Sequence, residues 1–144
     1  MGTVEAFEHT ADVGLRVRGR DLEDLFRTAA EGLFDDIVAN RQDVSDVERE
    51  YVSLVADSLA DLLAAWLNEL IFRCETRHRL YSHFDVHLSS MDSDVGLSLG
   101  AEIGGEPIDR DRHVLVHEVK AVTRHALTLR RDGGDWVAEL ILDI

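Results

Sequence analysis

The 144-residue sequence is 45% hydrophobic and 31% charged, enough for one domain spanning 1–144 with a proper core and unlike a disordered chain. Twenty-nine acidic residues against fifteen basic ones give a formal charge of −14; such a surface repels phosphate backbones, so little or no direct nucleic-acid binding is expected. A single cysteine, Cys74, excludes an internal disulfide, and the opening residues carry neither the basic region nor the apolar stretch of a secretion signal or membrane span, so a cytoplasmic protein without membrane attachment is expected.

Val13, Leu15 and Val17 alternate with Gly14, Arg16 and Arg18, the period of a strand with one buried face. The period then changes. Leu22, Leu25, Phe26, Ala29, Ala30, Leu33, Phe34 and Ile37 recur at three and four residues behind Asp21, a candidate cap for a first helix. Residues 47–56 alternate imperfectly and read as a strand. Ser58 is placed to cap a second helix, whose apolar stripe runs Leu59, Leu62, Leu63, Trp66, Leu67, Leu70, Ile71 and Cys74.

Beyond it, Phe84, Val86 and Leu88 form one alternating face and Val95, Leu97, Leu99, Ala101 and Ile103 another, with a turn at residues 89–94 between them. The sequence Gly104-Gly105-Glu106-Pro107 and the charged run 109–112 read as an exposed loop. A last hairpin pairs the alternation Val119, Ala121, Thr123, His125, Leu127, Leu129 with Trp136, Ala138, Leu140, Leu142 across Asp132-Gly133-Gly134. The order ββαβα followed by four strands implies an α+β fold, two helices packed on a largely antiparallel sheet.

Seven histidines invite a zinc reading, and His83/His87 and His113/His117 have helical ligand spacing. The first pair lies in a strand pattern, where four residues span about 13 Å, too far for two rings to share an ion at about 2 Å. No Cys or third His stands near His113 and His117 in sequence to complete a site. Nucleophile elbows, phosphate-binding loops and dinucleotide fingerprints are absent. A dyad of His9 with Asp12, placed in one short loop, would offer a small hydrolase, but such loops are common for turn and capping reasons.

The chain end carries more information. Asp143 alternates away from Leu140 and Leu142, and Ile144 follows it with an α-carboxylate, so two anionic groups occur within two residues. They repel one another unless a cation joins them or the end frays into solvent. The apolar run up to Ile144 argues for a buried last strand. If the final hairpin has a loop of two or three residues, Asp143 falls opposite Arg124 or Thr123, with Lys120 roughly 10 Å further along that strand. Lys120 is the one lysine among fifteen basic residues, and a compact ammonium is not interchangeable with a guanidinium in a tight site.

The stretch FEHTADVGL at 7–15 resembles the opening motif of the archease family. Further blocks agree in order and spacing: DLFRTAAEGLF at 24–34, WLNELIF at 66–72, VKAVTRH at 119–125 and ILDI at 141–144. The resemblance implies a fold related to the strand-helix-strand-strand module. It also implies a role as a non-enzymatic accessory to an RtcB-type tRNA-splicing ligase, which joins RNA ends bearing a 3′-phosphate and a 5′-hydroxyl after its own guanylylation. The accessory protein promotes that guanylylation and multiple turnover. On the same resemblance Asp12, Asp143 and Ile144 hold a divalent cation, typically Ca²⁺, with Mg²⁺ or Mn²⁺ as alternatives, and Lys120 serves activation. Oxygen donors of this kind suit hard cations. The competing expectations are a chaperone-like modulator of RNA-modifying enzymes and the His9/Asp12 hydrolase.

Overall fold

Both helices begin where the sequence supplies an acceptor for the free N–H groups of a first turn. In the computed structural model, which describes residues 2–9, 12–90 and 96–144, the Asp21 carboxylate accepts from the Asp24 N–H at 2.8 Å and opens α1 (Leu22–Ile37). Ser58 Oγ accepts from the Asp61 N–H at 3.1 Å and opens α2 (Leu59–Arg77). The apolar stripes read from the sequence then face the core. Phe26, Ala29, Ala30, Leu33 and Phe34 of α1 and Leu62, Leu63, Trp66, Leu67 and Leu70 of α2 are all fully buried. The Trp66 indole N–H donates to the Phe26 carbonyl at 3.0 Å, so the one polar atom of this large side chain ties α2 to α1 inside the core.

The strands form two sheets with antiparallel pairing throughout. In the first, β1 (Thr3–His9) pairs β2 (Asp12–Gly19), β2 pairs β8 (Asp135–Asp143), and the far edge of β8 carries β6 (Ala121–Val122) and β7 (Thr128–Asp132) end to end. In the second, β5 (Leu97–Pro107) lies between β3 (Glu48–Ala56) and β4 (Arg79–Ser90). The helices join the two: α1 packs on β2 and β4, and α2 on β3 and β6. The α+β expectation therefore holds, with the antiparallel layer divided in two. Of the turn expected at 89–94, Ser89 and Ser90 belong to β4 and residues 91–94 lie outside the described residues, as does Val95.

The loop expected at residues 104–107 is strand. Gly105 pairs with Glu48 on one side and Tyr81 on the other, and β5 runs on to Pro107 opposite Arg79. The register of β4 slips between Tyr81 and His83, and this brings backbone so close that a Cβ on Gly105 would lie 2.0 Å from the Leu80 carbonyl oxygen. Glycine is there for close approach, not for a turn. Gly105→Ala is accordingly expected to lower stability by about 1–3 kcal/mol, read as a reduced urea midpoint at unchanged slope; an exposed loop would tolerate the methyl group.

Candidate functional site

The β2–β8 register determines what the two strands present at one end. Val13 pairs with Leu142 and Leu15 with Leu140, and these four side chains are buried. The pleat then puts the alternate residues on the opposite face, where Asp12 is the Cα partner of Asp143. Directly paired positions hold their Cβ atoms about 4.5–5.5 Å apart, so the two half-buried aspartates are neighbours across 131 positions of sequence. The Thr123 hydroxyl donates to the Asp143 carboxylate at 3.2 Å. Among the described residues neither aspartate has a Lys or Arg partner.

Two facing carboxylates without a basic partner favour a shared cation. Their donors are oxygens only, which fits Ca²⁺, Mg²⁺ or Mn²⁺ and fits zinc poorly. Among the described residues no group of three or more His, Cys, Asp and Glu side chains is gathered as a metal centre. A hard cation on Asp12 and Asp143 would thus need the Ile144 carboxylate, backbone oxygens or water to complete its shell. Ile144 is half-buried and packed against the core, so the last residue is held.

Lys120 is closer to this pair than strand periodicity predicts. The final hairpin turns at Gly133 and Gly134, both at positive φ, and from Thr128↔Glu139 its register would bring Arg124 opposite Asp143. A 3-10 turn at Arg124–Ala126 interrupts the strand, and Ala121 stands there instead. The slip of three residues replaces the expected separation of roughly 10 Å by strand rise with direct contact: the Lys120 N–H donates to the Asp143 carbonyl at 2.7 Å. Lys120, an exposed residue, therefore has its backbone next to Asp143.

Asn68, which no motif or spacing singles out, holds this arrangement. Its side-chain amide donates to the Val122 carbonyl at 3.1 Å and its side-chain oxygen accepts the Val122 N–H at 2.8 Å, as a neighbouring strand would. Arg124, in the 3-10 turn, pairs with Asp61 in the first turn of α2. The signal for Asn68 is an amide inside WLNELIF, a largely apolar stretch of the helix, where a polar side chain needs a partner.

The other sequence candidates have structural roles or remain apart. His9 and Asp12 do not share a loop: they are paired residues at the ends of β1 and β2. The His9 imidazole, Thr10 and Ala11 lie outside the described residues. His83 and His87 sit on β4, opposite Gly104 and Gly100. The buried His113 accepts the Asp109 N–H on Nδ1 at 2.9 Å, which leaves its proton on Nε2, 2.9 Å from Glu106. Burial opposes charge on Glu106, but the Ser45 N–H, His113 and Arg112 outweigh it and hold that carboxyl below its usual range. His117 Nδ1 lies 3.0 Å from Asp36.

Among the described residues no helix is long and apolar enough to cross a membrane. Comparison with known proteins gives a consistent result. A curated "Protein archease" of Methanopyrus kandleri is 38% identical over 140 residues, covering 97% of this chain and 98% of the relative. One from Methanothermobacter thermautotrophicus is 35% identical over the whole of both chains. The solution structure of Methanobacterium thermoautotrophicum protein 1598 superposes with a TM-score of 0.81 at 32% identity, covering 98% of each chain. A Thermotoga maritima structure, described as an archease and possible chaperone, shares the fold at a TM-score of 0.60 and 17% identity over 97% of this chain and 96% of that one. None of these names is that of an enzyme. The model of the Archease protein family (MTH1598/TM1083) matches residues 5–144, and the chain belongs to that family.

Proposed function

We propose that the protein is a cytoplasmic, non-catalytic accessory factor of an RtcB-type tRNA-splicing RNA ligase, promoting the ligase's guanylylation and its repeated turnover. In this reading Asp12, Asp143 and the Ile144 α-carboxylate hold a divalent cation, Ca²⁺ or a related hard ion, with Lys120 beside them. The observation that carries it is the pairing of Asp12 with Asp143 at one strand end, where the backbone of Lys120 bonds to Asp143. Family membership supports an accessory role, and the description of the Thermotoga maritima relative as a possible chaperone supports a protein partner. A charge of −14 favours that over an RNA partner.

The residues divide the work by their chemistry. A bound cation would supply positive charge for phosphate or nucleotide oxygens at the ligase. Asp12 and Asp143 hold anionic oxygen at a fixed spacing because the strand register fixes their backbones. Thr123 orients the Asp143 carboxylate through its hydroxyl. Lys120 offers a compact ammonium with three donors at the edge of the pair.

The test is guanylylation of purified ligase by the wild-type protein and by Lys120→Arg. Charge is kept in this variant, but a broad planar fork replaces a point-like ammonium. Stimulation is expected to fall on the order of tenfold, the scale of losing a group beside a metal site. Undiminished stimulation would return Lys120 to the solvated surface.

A further inference from the structure

A cavity of about 500 Å³ lies between the end of α2 and the run from Ile108 to Val119. Its floor is apolar: Ile37, Ile71, Leu80 and Val119 are each 6% exposed or less. Cys74 lines it too, but burial, with a contribution from Glu75, pushes the thiol up to about 11. The sulfur therefore stays protonated, and the cavity holds no thiolate nucleophile. One wall is pinned to the end of α1. The Ala39 N–H donates to the Val114 carbonyl and the Val116 N–H to the Ile37 carbonyl, both at 2.8 Å.

That pinned wall displays Val114 and Val116 at 58% and 51% exposure. A small ligand filling the cavity would leave Val114 in water, whereas a protein face laid over the opening would cover both valines. The rim specifies the charge of such a face. Glu75 and Glu118 are exposed and have no basic partner among the described residues, and Asp36 stands behind His117. Arg110 and His78 are the other ionisable groups lining the opening. With two exposed carboxylates to one guanidinium lining the opening, on a chain of charge −14, the complement is basic.

Position identifies the partner. Val119 lines the cavity, and the next residue, Lys120, is bonded through its backbone to Asp143. The cavity floor and the proposed activating group thus lie on one stretch of backbone. An enzyme that grips RNA carries basic surface to do so. We infer that the cavity is a docking recess for the RNA ligase, receiving an apolar ligase side chain flanked by basic residues. This rests on the ligase reading above. The recess sets affinity, while Asp12, Asp143 and Lys120 set activation.

The experiment measures ligase binding by calorimetry, and guanylylation at saturating accessory protein, for four proteins: wild type, Val116→Asn, the double charge reversal Glu75→Lys/Glu118→Lys, and Lys120→Arg. The recess changes lie at exposed positions, so folding is expected to survive, and circular dichroism checks it. Val116→Asn and the double reversal are each expected to raise Kd about tenfold or more, with stimulation restored at saturation. Only the effect of the charge reversal should shrink at high salt. Lys120→Arg is expected to bind like wild type and stimulate poorly. Wild-type Kd for both recess variants, beside a wild-type protein that stimulates, overturns the docking recess alone. A wild-type protein that neither binds nor stimulates the ligase overturns the ligase reading, and the recess with it.

Discussion

Asp12→Ala and Asp143→Ala are each expected to abolish stimulation of the ligase while leaving a folded protein. Each change removes an anionic oxygen from a pair held together by the β2–β8 register. Calcium affinity should fall by more than about 100-fold, above the 10–100-fold typical of an outer partner of a metal site. Stability separates this from simple damage. Without metal, the wild-type pair faces itself with no basic partner among the described residues, so losing one carboxylate relieves repulsion and the thermal midpoint in chelator should not drop. Added calcium should raise the wild-type midpoint through binding to the folded state alone, and should leave the variants unmoved. A folded double variant that stimulates fully would end the metal-site reading.

The second large effect concerns the chain end. Extending the sequence by one glycine after Ile144 converts an α-carboxylate into a neutral amide and puts new chain where an ion or its waters would sit. Calcium affinity is expected to fall on the order of tenfold or more, since affinity at such sites follows ligand charge count. An N-terminal tag should change neither binding nor activation. The half-buried Ile144 packs against the core, so this is not the frayed end that tolerates extension. Calcium calorimetry and ligase guanylylation on native and extended forms decide it. Equal binding by both would remove the α-carboxylate from the ligand set and leave Asp12 and Asp143 to find other oxygens.

Local signals in the sequence located what local physics determines. Asp21 and Ser58 cap the helices as their side chains require, and the three- and four-residue recurrences give the buried faces of α1 and α2. The sequence misleads where a residue type serves two purposes. Glycine makes turns and also permits close backbone contact, so Gly105 read as loop although Leu80 crowds it in a strand. Alternation from Val119 to Leu129 runs without a break in the sequence, yet the 3-10 turn puts Ala121 opposite Asp143 and buries Val122 instead.

That turn is braced by Asn68 and by Asp61 with Arg124, contacts spanning more than fifty residues that no periodicity records. For the site, the penultimate Asp143 and the single lysine are visible as oddities of type and position. Their approach to one another is not, because it depends on a three-residue slip governed by helix α2.

The most direct measurement is multiple-turnover joining of RNA ends by a purified RtcB-type ligase, with ends in large excess, in the presence and absence of this protein. An accessory activator gives many joined products per ligase molecule when present, few when it is left out, and none when it acts on RNA alone. Equal product per ligase with and without it would contradict the proposed function.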